Sequence, residues 1–160
     1  MDGHTKSTSL REVMGTYPTG VTIVASCDAA GDPYGLTVNS FTSVSLDPPL
    51  VLVCLGQTST SHDRLSAGSS FSINILSAAQ SDIAGRFARE PSRGRFDDVQ
   101  WTPGSLGDPV ITECVASLDC TLQEVMAGGD HSIILARVEA ITMSDRPALV
   151  FYRGRLGPPS

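Results

Sequence analysis

The sequence predicts a mainly β protein, an antiparallel barrel decorated with a few short helices. Two observations lead to this prediction. Six or seven short segments have the composition or the alternating polarity of strands, whereas only two or three have the pattern of helices. Strands and helices also fail to alternate regularly along the chain, which disfavours a doubly wound parallel sheet and favours strands joined mainly by turns.

The first quarter of the chain predicts a helix followed by a pair of strands. Residues 9–12, Ser-Leu-Arg-Glu, form a capping box that opens a short helix ending at Gly15. Residues 21–27 predict a strand, and the turn composition of residues 30–33 predicts a connection to a partner strand over residues 34–44. The apolar face of the helix would consist of Leu10, Val13 and Met14.

The middle of the chain predicts two strands and two short helices. Residues 50–55 are apolar on both faces, as expected of a strand inside a barrel, and residues 70–75 alternate strictly. Residues 61–67 predict one short helix, and a second capping box at residues 77–80 opens another. The apolar face of that second helix would consist of Ile83 and Phe87, which are four positions apart.

The last third of the chain begins with an irregular stretch. Residues 90–108 contain much of the proline and glycine together with the single tryptophan, Trp101. A segment of this length without regular structure is unusual in a compact domain and itself indicates a function. Residues 127–131 have the composition of a turn, and the closing strands are predicted at 110–125, 131–143 and 148–152.

Size and charge limit the class of protein. The 160 residues suffice for one domain with one core, and we expect a single domain over residues 1–160 in which residues 1–8 are disordered. The polar N-terminus has no signal-peptide pattern, and no apolar run approaches the roughly 20 residues of a membrane span. A cytoplasmic protein is therefore expected. The net charge of −6 and the lack of a basic stripe disfavour nucleic-acid binding.

The four cysteines do not indicate a metal site or a disulfide. Cys27, Cys54, Cys114 and Cys120 have no CxxC spacing and no histidine at ligand distance. If residues 114–122 form a strand, Cys114 and Cys120 lie on one face about 20 Å apart, at ~3.3 Å per residue, which is too far for a bridge. We therefore expect buried thiols that pack as small apolar groups.

Familiar catalytic motifs are absent from the sequence. There is no GxGxxG dinucleotide fingerprint, no GxxxxGK[ST], no HExxH and no GxSxG. Serine, histidine and aspartate occur, but no local motif organises them around a nucleophile. Such a chain suits chemistry performed by a cofactor, which the protein binds and orients.

The segment from residue 35 to residue 62 has the most informative composition. A hydroxyl-rich stretch, Gly-Leu-Thr-Val-Asn-Ser-Phe-Thr-Ser at 35–43, leads into the apolar strand, and the strand opens onto Gln-Thr-Ser-Thr-Ser-His at 57–62. Hydroxyls and backbone amides suit a phosphate, and an apolar wall suits a flat ring system. The alternative interpretation is two turns that flank a core strand.

This layout resembles the flavin reductase family, the small NAD(P)H:flavin oxidoreductases that supply reduced flavin to partner monooxygenases. The resemblance covers residues 10–155. Besides the block at 35–55 and the cluster at 57–62, its landmarks are residues 20–24, 71–75, Phe87 and Gly129-Asp-His131. It implies a split barrel of antiparallel Greek-key type that binds FMN or FAD at a homodimer interface.

The resemblance also implies specific contacts. Flavin contacts are expected from the first hydroxyl-rich stretch and Gln57, an apolar wall from the strand, and phosphate contacts from two serines assisted by amides at the start of the next helix. Asn39 and Gly56 depart from the commoner residues of the family, which leaves the individual polar contacts open. The expected cofactor-binding residues are Thr37, Val38, Asn39, Ser40, Cys54, Leu55, Gln57, Ser59, Ser61, Arg86 and Phe87.

Three of the candidate residues have competing interpretations. Phe87 is either a flavin contact or simply a core residue paired with Ile83, and Arg86 either binds phosphate or faces solvent. His131 is the candidate nicotinamide contact, since the preceding glycines permit a tight turn that aims its imidazole into a cleft. Its alternative is a histidine at the start of a strand, satisfied by a neighbour. His4 and His62 are interpreted as surface residues, of which only His62 is close to the proposed phosphate site.

The predicted activity is NAD(P)H-dependent flavin reduction, with a hydride passing from nicotinamide C4 to flavin N5 and no acid or base supplied by the protein. Reduced flavin would then leave for a separate monooxygenase. Two alternatives remain: a non-catalytic flavin- or haem-binding split barrel, and a reductase of another acceptor. No arginine cluster indicates a 2′-phosphate clamp, so NADH is expected, with NADPH possible. The sequence leaves FMN versus FAD and the partner's identity undecided.

Overall fold

The computed structural model describes residues 8–89, 91 and 94–159. Residues 1–7, and with them His4, lie outside the described residues, so the expected disorder of residues 1–8 stays a prediction there. The helices are α1 (Leu10–Gly15), α2 (His62–Ala67) and α3 (Ser81–Arg89), the last preceded by a 3₁₀ turn, Ala78–Gln80. The strands are β1 (Thr19–Gly20), β2 (Thr22–Cys27), β3 (Pro33–Val38), β4 (Thr42–Leu46), β5 (Pro49–Gly56), β6 (Ser70–Ile75), β7 (Trp101–Pro103), β8 (Pro109–Ile111), β9 (Ala116–Gly128), β10 (His131–Met143), β11 (Val150–Tyr152) and β12 (Arg155–Gly157).

Seven strands form one antiparallel sheet in the order β3-β2-β6-β9-β10-β5-β4. The sheet curls so that β3, at one edge, contacts β5, next to the other edge. In the described part of the chain no backbone ladder joins the two edge strands. The prediction of a mainly β fold with few short helices is confirmed, and the approach of β3 to β5 brings the two ends of the sheet together.

Two apolar clusters lie on opposite faces of the curled sheet. The inner cluster fills the barrel with side chains from β2, β3, β5, β6, β9, β10 and α2, among them Phe71, Leu55 and Ile134. The outer cluster packs Ile23, Phe87 and neighbouring residues beneath α3 and the β7–β8 hairpin. Both predicted capping boxes are present, at Ser9–Glu12 and at Ser77–Gln80.

The single strand predicted over residues 34–44 is wrong. The structure breaks it after Val38 and starts β4 at Thr42. Because β3 pairs with β2 and β4 pairs with β5, the chain must cross from one edge of the sheet to the other between them. Residues 39–41 make that crossing, so the hydroxyl-rich stretch lies at the seam of the barrel.

The strand predicted over residues 110–125 is also wrong in its bounds. Residues 109–111 form β8, which pairs with β7 inside the stretch that was expected to be irregular. The long strand is β9, which starts at Ala116 and reaches Gly128. Glu90, Ser92 and Arg93, part of the irregular stretch, lie outside the described residues.

The cysteines are free, and two of them are deeply buried. Cys114 precedes β9 and joins the outer cluster, whereas Cys120 lies in β9 and joins the inner cluster, so the expectation that they share one strand face is wrong. Burial raises the pKa of each of these two thiols to about 12. Both therefore stay protonated at neutral pH and pack as apolar groups, while Cys27 and Cys54 are only partly buried.

Helix α1 has an exposed apolar face. Leu10, Val13 and Met14 are exposed by 77%, 52% and 54%. The helix is held instead by its capping box and by a backbone hydrogen bond from Arg153 N to Gly15 O. Among the described residues, no helix has the length and apolar character needed to cross a membrane.

Candidate functional site

The end of β5 meets the β9–β10 turn at one corner of the barrel. His131, the first residue of β10, pairs with Gly56 of β5 on one side and with Gly128 of β9 on the other. Gly129 adopts a φ of 72°, which glycine accommodates without strain, and this permits the tight turn predicted from the sequence. Gln57 N then donates to Asp130 O at 3.0 Å, so the loop after β5 is bound to the turn.

The imidazole of His131 is half-exposed and oriented by its neighbour. Its Nδ1 lies 2.7 Å from Asp130 Oδ1, and this hydrogen bond is the main cause that lowers the pKa of the Asp130 carboxyl. In the neutral imidazole, donation of the Nδ1 proton to the carboxylate leaves Nε2 as an acceptor. Nε2 lies 3.8 Å from the position that a Cβ on Gly56 would occupy, so glycine keeps that side of the ring open.

Two buried hydroxyls near this corner have no hydrogen-bond partner among the described residues. They belong to Ser59 and Ser61, the two serines expected to bind phosphate. Ser61 is 1% exposed and occupies the N-cap of α2, yet its side chain makes no capping hydrogen bond. A buried hydroxyl without a partner costs about 1–3 kcal/mol, and such a group in a native protein calls for a ligand or ordered water.

His62 lies beside the proposed phosphate site, as expected, but the sequence interpretation missed its burial and its hydrogen bonds. The expectation of a surface histidine is wrong, because its side chain is only 12% exposed. Its Nδ1 lies 2.8 Å from Asp63 Oδ1, and its Nε2 lies 2.8 Å from the Ser132 hydroxyl on β10. The ring therefore connects residues 57–61, here called the serine loop, to β10, the strand that carries His131. Ser132 is the sequence feature that could have indicated this contact. It follows His131 directly in a strand, so its side chain points to the opposite, buried face of β10 and there needs a polar partner.

The seam residues make mostly internal contacts. The Thr37 hydroxyl donates to Ala84 O of α3 at 2.7 Å. The Ser40 hydroxyl donates to Cys54 O at 2.9 Å and accepts from Cys54 N at 3.0 Å, which binds the seam to β5. Asn39 is exposed and is the polar side chain of the seam that remains available to a ligand.

Several expected contacts cannot be made by side chains in this structure. Val38 and Leu55 are buried in the inner cluster, which leaves only their backbone for a ligand. Phe87 is 1% exposed and packs edge-on against Phe96, with ring centroids 4.8 Å apart, which favours its interpretation as a core residue. Arg86 donates to the backbone carbonyl of Asp97, so it braces the 94–100 segment instead of facing solvent freely.

Two adjoining grooves flank Asn39 on the side away from the corner. The larger, of about 800 Å³, is lined by α1 and by the β11–β12 turn, and the smaller, of about 310 Å³, is lined by α3. Both are lined by Asn39, Phe151 and Gly154, and neither is lined by Ser59, Ser61 or His131. The structure thus separates the predicted residues into a corner with serines and histidine and a seam that borders the grooves.

Comparison with known proteins identifies the family. The profile of the flavin reductase-like domain matches residues 14–160. The chain belongs to this family. The resemblance inferred from residues 35–62 is thereby confirmed.

Relatives of this flavin reductase-like domain include a probable flavin reductase of Rhizobium meliloti, 44% identical over 91% of this chain and 47% of that protein. The reductase component of a flavin-dependent trigonelline monooxygenase from Acinetobacter baylyi is 41% identical over all of this chain and 51% of that protein. The chain thus spans about half the length of these two relatives. A solved Streptomyces globisporus NADH:FAD oxidoreductase, in complex with NAD and FAD fragments, superposes with a TM-score of 0.89 at 41% identity, over 94% of this chain and 91% of that one.

Proposed function

We propose that this chain reduces FMN or FAD with NADH and releases the reduced flavin to a separate monooxygenase. The observation that supports this most directly is the pair of buried hydroxyls of Ser59 and Ser61, which have no partner among the described residues and lie in the loop fastened to the histidine corner. Relatives named as reductase components of monooxygenases support the transfer of reduced flavin.

The residues present fit a phosphorylated ring ligand. Ser59 and Ser61 would donate hydroxyl hydrogen bonds to the flavin phosphate, which would satisfy both buried oxygens. Asn39 and the backbone of residues 37–40 and 54–55 would contact the ring. A bound flavin would supply the hydride acceptor, so the protein has to provide binding and orientation rather than an acid or a base.

His131 is the proposed nicotinamide contact. Its Nδ1 is occupied by Asp130, and its Nε2 is an acceptor on a half-exposed ring. An acceptor of this kind can receive a hydrogen bond from the amide group of a nicotinamide, and the ring can cover one of its faces. This role requires no proton transfer by the imidazole.

The first test is whether NADH oxidation requires flavin. We expect purified protein to oxidise NADH only when FMN or FAD is added or has co-purified, measured as anaerobic loss of nicotinamide absorbance. Comparing FMN, FAD and other electron acceptors separates a flavin reductase from a reductase of another acceptor. Bound flavin that NADH fails to bleach would contradict the proposal and indicate a non-catalytic flavin-binding barrel.

We further propose a homodimer, because a small barrel fills its interior with side chains and a large ligand must bind outside it. The apolar side chains on the surface support this. Leu46, Ile141 and Met143 are exposed by 93%, 65% and 80%. Ile141 and Met143 are two positions apart and therefore lie on the same face of β10, and contiguous apolar surface is typical of an interface. A cytoplasmic location stays a prediction.

The dimer prediction is tested by light scattering. We expect a mass close to twice 16.8 kDa at micromolar concentration. Replacing an exposed apolar side chain with a charged one, Met143→Lys, should shift the protein toward monomer without lowering its stability, since this side chain packs little in the single chain. A fully active monomer of the unchanged chain would rule out the proposed dimer.

A further inference from the structure

Three arginines from distant parts of the sequence surround the two grooves beside Asn39. Arg11 of α1 and Arg153 of the β11–β12 turn line the larger groove, and Arg89 at the end of α3 lines the smaller one. All three side chains belong to exposed residues. The positions are far apart in sequence, which explains why no basic cluster could be seen there.

These guanidinium groups are available to a ligand. None of them forms a hydrogen bond or an ion pair with a described residue, and Arg153 has only the Tyr152 ring nearby, 5.4 Å from its Cζ. The acidic side chain at the larger groove, Glu12, accepts hydrogen bonds from Ser9 N at 2.7 Å and from the Ser9 hydroxyl at 3.0 Å. Glu12 keeps its charge, and three guanidinium groups against this one carboxylate leave the rim cationic on a protein whose net charge is −6.

The side chain of Arg89 lies against a glycine of its own helix. Its Nη2 lies 2.9 Å from the position that a Cβ on Gly85 would occupy, one helical turn earlier. Gly85 therefore leaves the space in which the guanidinium lies against the groove. The guanidinium of Arg89 is flat and branched, and in this position it could donate two parallel hydrogen bonds to a pair of phosphate oxygens.

The groove also offers a surface for a ring. Phe151 is half-buried and shared by both grooves, and Val13 and Met14 extend the apolar wall. A volume of about 800 Å³ lies within the usual range for small-molecule sites. An apolar wall with three arginines at its rim, none of them paired with a described residue, is complementary to a nucleoside diphosphate, whose base is flat and whose phosphates are anionic.

We infer that these grooves bind the adenosine diphosphate group of a dinucleotide, and the inference rests on the proposed reductase function. The nicotinamide dinucleotide is the favoured source. Both grooves are lined by Asn39, so they adjoin the part of the proposed flavin site that would hold the ring. The adenylate of FAD would instead extend from the flavin phosphate, at Ser59 and Ser61, and these serines line neither groove. NADH would then span from the seam to the arginines.

The direct test uses 5′-ADP alone, with neither flavin nor NADH present. Calorimetry should detect ADP binding to the wild-type chain, weakened by added salt because the contacts are exposed ion pairs. The double variant Arg89→Ala/Arg153→Ala should bind ADP at least roughly tenfold more weakly, since hydrogen bonds to charged groups are the stronger class. Arg146→Ala, at an exposed arginine paired with Glu113 at 3.6 Å, is the matched control and should bind as wild type does.

Kinetics then distinguish the two sources of the group. With NADH as the source, the double variant should lose the preference of the wild type for NADH over reduced nicotinamide mononucleotide, while FAD and FMN bind as before. Loss of FAD affinity alone, with FMN unaffected, would assign the groove to the flavin dinucleotide. Unchanged ADP affinity in the double variant, or no ADP binding by an active wild type, would overturn the inference. ADP binding by a chain that reduces no flavin would contradict the proposed reductase function but would still support a nucleotide-binding groove.

Discussion

The double variant Ser59→Ala/Ser61→Ala should bind FMN and FAD roughly 10- to 150-fold more weakly than the wild type. The estimate corresponds to losing about 1.5–3 kcal/mol, the usual contribution of a hydrogen bond to a charged group. The stability of the flavin-free protein should not fall with the flavin affinity. Because neither hydroxyl has a partner among the described residues, removing them should leave the free energy of unfolding unchanged or slightly raised.

Flavin titration and denaturant unfolding of the same samples would measure both effects. Ser66→Ala is the matched control, because this serine lies on α2, close in sequence to the other two, but its hydroxyl is already bonded to His62 O at 2.8 Å. That variant should keep the flavin affinity of the wild type. A double variant that binds both flavins as tightly as the wild type would show that the phosphate lies elsewhere.

The variant His131→Ala should raise the Michaelis constant for NADH, or slow flavin reduction, by roughly tenfold, equivalent to about 1.4 kcal/mol. The physical reason is the loss of an oriented Nε2 acceptor, held by the hydrogen bond between Nδ1 and Asp130. Flavin affinity should hardly change, since the ring is not part of the serine loop. Stopped-flow reduction at several NADH concentrations separates the two kinetic effects.

The control for His131 lies on the same strand. Thr142 is exposed near the far end of β10, so Thr142→Ala should leave NADH kinetics unaltered. His131→Gln, which keeps a hydrogen-bonding group, should recover part of the lost rate. Normal NADH kinetics in a folded His131→Ala protein, or loss of flavin instead of NADH, would return His131 to a structural role.

The local features of the fold were predictable because short-range chemistry determines them. Both capping boxes and the strand over residues 70–75 agree with the structure. The break at residues 39–41 was not predictable, because it depends on which strands pair at the two edges of the sheet. Periodicity describes the face of a strand and says nothing about its neighbours.

The same limit applies to the candidate site. Composition indicated the hydroxyl cluster at residues 57–62, and the resemblance to the family singled out Ser59 and Ser61, whose buried hydroxyls are consistent with that interpretation. His62 was misjudged, because its burial depends on a hydrogen bond to a residue 70 positions away. The arginines at the grooves come from positions 11, 89 and 153, and only the folded chain brings them together.

The bond between Ser40 and Cys54 has a consequence for self-association. Beyond the last pairing of β4 with β5, the backbone N–H and C=O of Cys54 meet a serine hydroxyl where a neighbouring strand would otherwise lie. An unpaired strand edge is a template on which another molecule can add a strand and begin to aggregate. One hydroxyl, which donates to one backbone group of Cys54 and accepts from the other, thus shields this part of the β5 edge from a further strand.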